Sequence, residues 1–209
     1  MPDAPAADDL GGRTVSRSIA LPPDALVLLI GIAASGKTTF AQRHFAATQV
    51  LSSDALRALI ADDPSAQGAT DDAFDLLHRI LTMRLRRGRL TVVDATNVED
   101  WARTELVANA RKHRRPAVAI VLDVPLPLAL ERNATRAAPR PPPAAIRRQH
   151  HWLLDSLQTL AGEGFAAVHH LASEAEIDGV QVERSVPKEQ PPTPMTEATE
   201  SGPRARPPK

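Results

Sequence analysis

Ala25-Leu26-Val27-Leu28-Leu29-Ile30-Gly31-Ile32-Ala33-Ala34-Ser35-Gly36-Lys37-Thr38 is the stretch that decides the fold. Its first six residues are apolar without a break, the pattern of a strand buried on both faces in a parallel sheet. The next eight fit G-x-x-x-x-G-K-[ST], a loop whose backbone amides, together with the N-terminus of the helix that follows, point at phosphate oxygens. In such a loop the Lys37 ammonium adds positive charge and the Thr38 hydroxyl can ligate magnesium. Gly31, Ala34, Ser35, Gly36, Lys37, Thr38 and Thr39 are therefore the expected nucleotide-binding residues, with ATP and Mg2+ as cofactors.

Reading outward, a helix is expected from Lys37 to about residue 46, then a short strand over 49–53. Asp54 can cap the next helix, which runs through Arg57 and Leu59. Residues 62–72 are acidic and small and read as a surface loop. A helix over 73–87 follows, with Phe74, Leu77, Leu81 and Leu85 facing the sheet. Further strands are expected at 90–94, 117–124 and 165–171, and further helices at 101–113, 128–135 and 144–160. This alternation predicts an α/β fold, a P-loop NTPase-type parallel sheet with helices on both faces and an arginine-bearing lid. Residues 1–22 read as a flexible leader, 23–186 as one kinase domain, and the Pro-rich segment 187–209 as disordered, because it has almost no apolar surface to offset its ordering entropy.

Composition narrows the function by exclusion. Lys plus Arg and Asp plus Glu both number 25, so no global field draws the chain to nucleic acid or membranes, and such affinity must come from local clusters. The absence of cysteine excludes disulfides, thiolate metal sites and cysteine nucleophiles. The histidines show no zinc spacing. No apolar run approaches the ~18 residues of a membrane helix, and the N-terminus does not read as a secretory signal, so a soluble cytoplasmic protein is expected.

The remaining chemistry-bearing residues lie at strand ends or in the lid. Carboxyl ends of parallel strands open onto the ligand crevice, which puts Asp54 and Asp94 beside the phosphates. Asp54 can take the proton of an attacking hydroxyl, and Arg57, one turn on, can hold an anionic acceptor; alternatively, Asp54 only caps its helix and Arg57 is a solvated charge. Asp94 is the expected metal partner of Thr38, through water, or an orienter of an arginine. Arg132, Arg136 and Arg140 recur every fourth residue, and no Asp or Glu occurs between Glu131 and Asp155. Arginines carried by a closing lid stabilise the charge that spreads over a transferring phosphoryl group, although a solvated basic face would have the same composition. Asp94 is not followed by glutamate and no guanine-reading motif occurs, so motor ATPases and GTPases drop in rank.

The pieces Gly31 to Thr38, Ser52-Ser53-Asp54 with Arg57, Ala73 to His78, Leu90 to Val98, and Glu131-Arg132-Asn133 with Arg136 together resemble the kinase domain of the bacterial polynucleotide kinase-phosphatase family. The resemblance implies transfer of the ATP γ-phosphate to a polynucleotide 5'-hydroxyl. Asp54 would be general base, Arg57 would hold the acceptor phosphate, and Arg132 and Arg136 would engage ATP. Beyond about residue 186 the chain departs from the family's multidomain members, so no phosphatase activity is expected and a separate phosphatase or ligase partner is implied. The Pro-rich lid insert 137–143 also departs. Two other readings remain open: a small-molecule kinase of zeta-toxin or antibiotic phosphotransferase type, and a non-catalytic ATP-dependent binding protein.

Overall fold

All five residues of the strand Leu26–Ile30 are fully buried, as their unbroken apolar run requires, and the molecule is built around them. The computed structural model describes residues 17–137 and 139–185. In chain order the elements are β1 Ser18–Leu21, β2 Leu26–Ile30, α1 Lys37–His44, β3 Val50–Ser52, α2 Ser53–Ala61, α3 Thr70–Arg86, β4 Thr91–Asp94 and α4 Asp100–Lys112. These are followed by β5 Ala117–Leu122, α5 Leu126–Thr135, α6 Pro143–Thr159, β6 Ala167–Leu171, α7 Glu174–Gly179 and β7 Gln181–Arg184.

Five strands form one parallel sheet in the order β3-β4-β2-β5-β6. From β2 the chain passes first to one side, through β3 and β4, and then crosses to the other, through β5 and β6. The order therefore reverses at β2, and a crevice opens at its carboxyl end, where the phosphate loop begins. The expected α/β class with a parallel sheet flanked by helices is what the chain adopts.

Three local features differ from expectation. Ser18–Leu21, expected within the leader, instead pairs in parallel with Gln181–Arg184, and Ile19 and Leu21 are fully buried. Alternation over four residues is too short a signal to distinguish such a strand from a loose segment. Helix α3 starts at Thr70 and buries Ala73 with Leu77, Leu81 and Leu85, while Phe74 is only partly covered. Finally, Asp54 does not cap α2. Ser52 does, its hydroxyl accepting from the Ala55 amide. The expectations for residues 1–16 and 187–209 lie outside the described residues, as does Ala138 within the lid insert. No helix among the described residues is long and apolar enough to cross a membrane.

Candidate active site

The loop from Gly31 to Gly36 is shaped by two glycines with distinct tasks. A Cβ on Gly31 would stand 2.6 Å from the Leu122 carbonyl oxygen and 2.7 Å from Ser35 Oγ, so only glycine fits between β2 and β5 there. Gly36 has φ of 95°, and Ala34, at φ 64°, also takes the left-handed region, a strained choice for an alanine. Helix α1 follows with no side-chain cap and no acidic residue in its first turn. Its orphan amides and positive dipole end are left for an anion.

Lys37 is buried, and its Nζ donates to the carbonyls of Gly31 at 2.9 Å and Ile32 at 2.7 Å. Burial pushes its ammonium down to about 8; the nearby charges of Asp94 and Asp54 oppose that shift and Arg136 adds to it. Thr38 Oγ1 donates to Asp94 Oδ2 at 2.8 Å. Asp94 is itself buried at the end of β4, and burial raises its carboxyl above the ordinary value, against the pull of Lys37 and the Thr38 hydrogen bond. A hydroxyl beside a carboxylate fits Mg2+, which takes few protein ligands and completes its octahedron with waters and phosphate oxygens. Among the described residues no three His, Asp or Glu side chains converge on a metal position; the pair that could hold such an ion is Thr38 and Asp94.

Asp54 and Arg57 form an ion pair across one turn of α2, and Arg57 Nε also donates to the Pro64 carbonyl at 3.0 Å. Arg57 is thereby held largely buried while the Asp54 carboxylate keeps substantial exposure, on the crevice side within electrostatic reach of Lys37. The structure thus brings Lys37, Thr38, Asp94, Asp54 and Arg136 into one neighbourhood. It does not place Arg132 there: its guanidinium pairs with Glu174 at the start of α7. Nor do Arg132, Arg136 and Arg140 share a helix face. Helix α5 ends at Thr135, Arg136 is extended, and Arg140 turns back to donate to the Arg136 carbonyl. Thr39 lies exposed in the first turn of α1.

Three further residues shape the site and were not singled out by motif. Asn97, buried at φ 48°, donates to the Leu29 carbonyl at 2.7 Å, while the Thr96 carbonyl accepts from Gly31 N at 3.0 Å. These bonds lock the turn after Asp94 to the start of the phosphate loop. Arg103 is fully buried, paired with Glu163 at 2.5 Å, and donates to the Asn97 carbonyl at 2.9 Å and to Ser156 Oγ at 3.1 Å. Gln149 on α6 accepts from the Ala33 amide at 2.8 Å, which ties the helix after the lid to the loop. Only the Asp94-Ala95-Thr96-Asn97 string gave a sequence signal for any of these. Gln149 and Arg103 meet the site through tertiary packing.

The AAA domain family matches residues 26–160. No curated protein matches the chain. Among solved structures, a protein of Chloroflexus aurantiacus j-10-fl assigned as a kinase aligns at TM-score 0.55 and 16% identity over 78% of this chain and 91% of that one. A chain of the Pnkp1/Rnl/Hen1 RNA repair complex aligns at TM-score 0.57 and 19% identity, over 68% of this chain and 47% of that one. A chain of the PezAT chromosomal toxin-antitoxin system of Streptococcus pneumoniae aligns at TM-score 0.54 and 12% identity, over 79% and 72%. At such identities the likeness is one of fold.

Proposed function

The chain belongs to the AAA domain family, whose match spans the phosphate loop, the crevice and the lid, and from that premise we propose that it is an ATP-dependent polynucleotide 5'-hydroxyl kinase. The observation that carries this reading is the pairing of Asp54 with Arg57 at the crevice, beside Lys37. A nucleotide switch has no need of a base, whereas a kinase needs one carboxylate to receive the acceptor proton and one cation to hold an anionic acceptor.

In the proposed reaction the 5'-hydroxyl oxygen bonds to the γ-phosphorus of ATP, the bond from that phosphorus to the β,γ-bridging oxygen breaks, and ADP leaves. Asp54 takes the hydroxyl proton as the attack proceeds. Arg57 holds the phosphate adjoining the acceptor nucleoside, and its ion pair with Asp54 keeps both side chains oriented before the acceptor arrives. Lys37 and the amides at the start of α1 hold the β and γ phosphates, and Arg136 answers the charge developing on the transferring group. Mg2+, when bound through Thr38 and the surroundings of Asp94, would neutralise charge on the phosphate oxygens. Arg132 joins the phosphates only when it leaves Glu174. The motif residues, more than any likeness of fold, support the acceptor class.

Incubation with γ-labelled ATP and a panel of 5'-hydroxyl oligonucleotides, nucleoside 3'-monophosphates, free nucleosides, sugars and aminoglycosides tests the proposal. Label on the oligonucleotides and the 3'-monophosphates, and little on free nucleosides, is the expected outcome. Label on sugars or aminoglycosides alone would replace it with a small-molecule kinase.

A further inference from the structure

At the end of the sheet opposite the phosphate loop, two basic runs converge. Arg84, Arg86, Arg87 and Arg89 close helix α3 and lead into β4; Arg111, Lys112, Arg114 and Arg115 close α4 and lead into β5. The two runs are in contact. Arg115 Nε donates to the Leu85 carbonyl at 3.1 Å, and its guanidinium packs on Gly88, where a Cβ would stand 3.1 Å from Nη2. The strand starts are also bound together, Leu90 N donating to Pro23 O, Leu26 N to Pro116 O, and Ala166 N to Ala117 O. Cations from separate segments therefore occupy one continuous edge.

The charges on this edge are largely uncompensated. Asp24 is engaged by Arg115 at 2.5 Å and Glu163 by Arg103. Among the described residues Arg86, Arg87, Arg89, Arg111, Lys112 and Arg114 are exposed and make no ion pair with a carboxylate, in a chain whose net charge is zero. Complementing two helix dipoles requires cations in the last turns only. Arg87, Arg89 and Arg114 extend beyond them. The edge also contains a shallow concavity of about 390 Å³ whose lining includes Arg111, Arg114 and Arg115 together with Pro116 and Phe165. A row of exposed cations around a partly apolar hollow suits regularly spaced phosphates that carry flat bases.

We propose that this amino-terminal edge of the sheet is a second nucleic-acid contact, docking the body of a polynucleotide whose end is in the crevice. The inference rests on the polynucleotide reading above. Strand β2 has five residues, so at ~3.3 Å per residue the two sites are separated by at least ~17 Å, and at ~3.4 Å per nucleotide an acceptor needs about five nucleotides at the least to span them. Long acceptors gain affinity from the edge; a mononucleotide does not reach it.

The test uses the full chain with Arg86→Ser, Arg89→Ser, Arg111→Ser and Lys112→Ser combined, and a control in which the three arginines become lysine. Fluorescence anisotropy with a labelled single strand of about 20 nucleotides carrying a 5'-phosphate, without ATP, reads the edge independently of catalysis. The serine variant should bind roughly tenfold or more weakly at low salt, and its salt slope should be shallower by about 2 to 3. The lysine control should bind like the wild type. In turnover assays the serine variant should raise the Michaelis constant for the long acceptor and leave that for a nucleoside 3'-monophosphate unchanged. Equal affinity and equal slope for wild type and serine variant would overturn the proposal. So would wild-type binding to phosphatidylserine vesicles in place of the oligonucleotide. Absence of transfer to any nucleotide acceptor, with the anisotropy difference intact, would instead remove the polynucleotide acceptor from the proposed function and leave the edge as a nucleic-acid contact.

Discussion

Arg103, with no exposed side-chain surface, is gripped by both carboxylate oxygens of Glu163, Nε to Oε2 at 2.7 Å and Nη2 to Oε1 at 2.5 Å. Its remaining guanidinium nitrogen holds the Asn97 carbonyl, three residues beyond Asp94. Removing one partner of such a pair leaves an uncompensated buried charge, which costs about 3–5 kcal/mol, whereas replacing both with apolar side chains costs much less. Glu163→Ala should therefore destabilise the protein strongly in urea titrations, and Arg103→Met with Glu163→Met should recover much of the loss. A double variant as unstable as Glu163→Ala would show that the hydrogen bonds to Asn97 and Ser156, more than the charge, hold this region.

The Lys37 ammonium gives a pH prediction. Its value is about 8 in the fold against 10.5 for the free side chain, so the ligand-free fold opposes its protonation. From Lys37 alone, stability is reduced below about pH 8 and recovers as pH rises toward 10.5. Bound phosphates favour the charged form, so ATP binding at pH 9 should take up close to one proton, and affinity should fall as pH rises beyond about 8. Calorimetry at pH 9 in two buffers of different ionisation enthalpy measures this uptake, and Lys37→Met should abolish it. Equal binding heats for the wild type in both buffers would show that Lys37 does not meet the phosphates.

Much of this fold is legible in the sequence because its strongest elements carry local signals. The unbroken run before Gly31, followed at once by the phosphate loop, reads as a strand buried on both faces, and Gly31 and Gly36 mark the loop because a Cβ or an ordinary φ is excluded there. The end of β4 that carries Asp94, and the turn from β3 into α2 that carries Asp54, follow from the same alternation. What was not legible depends on partners distant in sequence. β1 is a strand only because β7 pairs with it across the chain, Arg103 enters the site through Glu163 and Ser156, and Gln149 reaches Ala33 from a helix over a hundred residues away. The i, i+4 spacing of Arg132, Arg136 and Arg140 suggests a common stripe, but the helix ends at Thr135 ahead of the prolines, Arg136 is extended, and Arg132 and Arg140 turn to separate partners, Glu174 and the Arg136 carbonyl.

That separation of the arginines makes the lid testable residue by residue. Arg136 is already within electrostatic reach of Lys37, so Arg136→Ala should lower kcat by about 10²-fold or more while changing the Michaelis constant for ATP little. Glu174→Ala, which releases Arg132 from a solvent-exposed pair, should alter stability by about 1 kcal/mol or less. A defect of Arg136→Ala confined to the Michaelis constant would make it a ground-state contact.

The most direct measurement is single-turnover transfer from γ-labelled ATP to a 5'-hydroxyl oligonucleotide by the wild type and by Asp54→Asn, with ATP binding measured in parallel. The wild type should label the oligonucleotide, and Asp54→Asn should bind ATP normally but transfer about 10²–10⁴-fold more slowly, because the group that receives the acceptor proton is gone. Wild-type transfer rates in Asp54→Asn, or a wild type that leaves every oligonucleotide unlabelled, would contradict the assignment of this crevice as a polynucleotide kinase site.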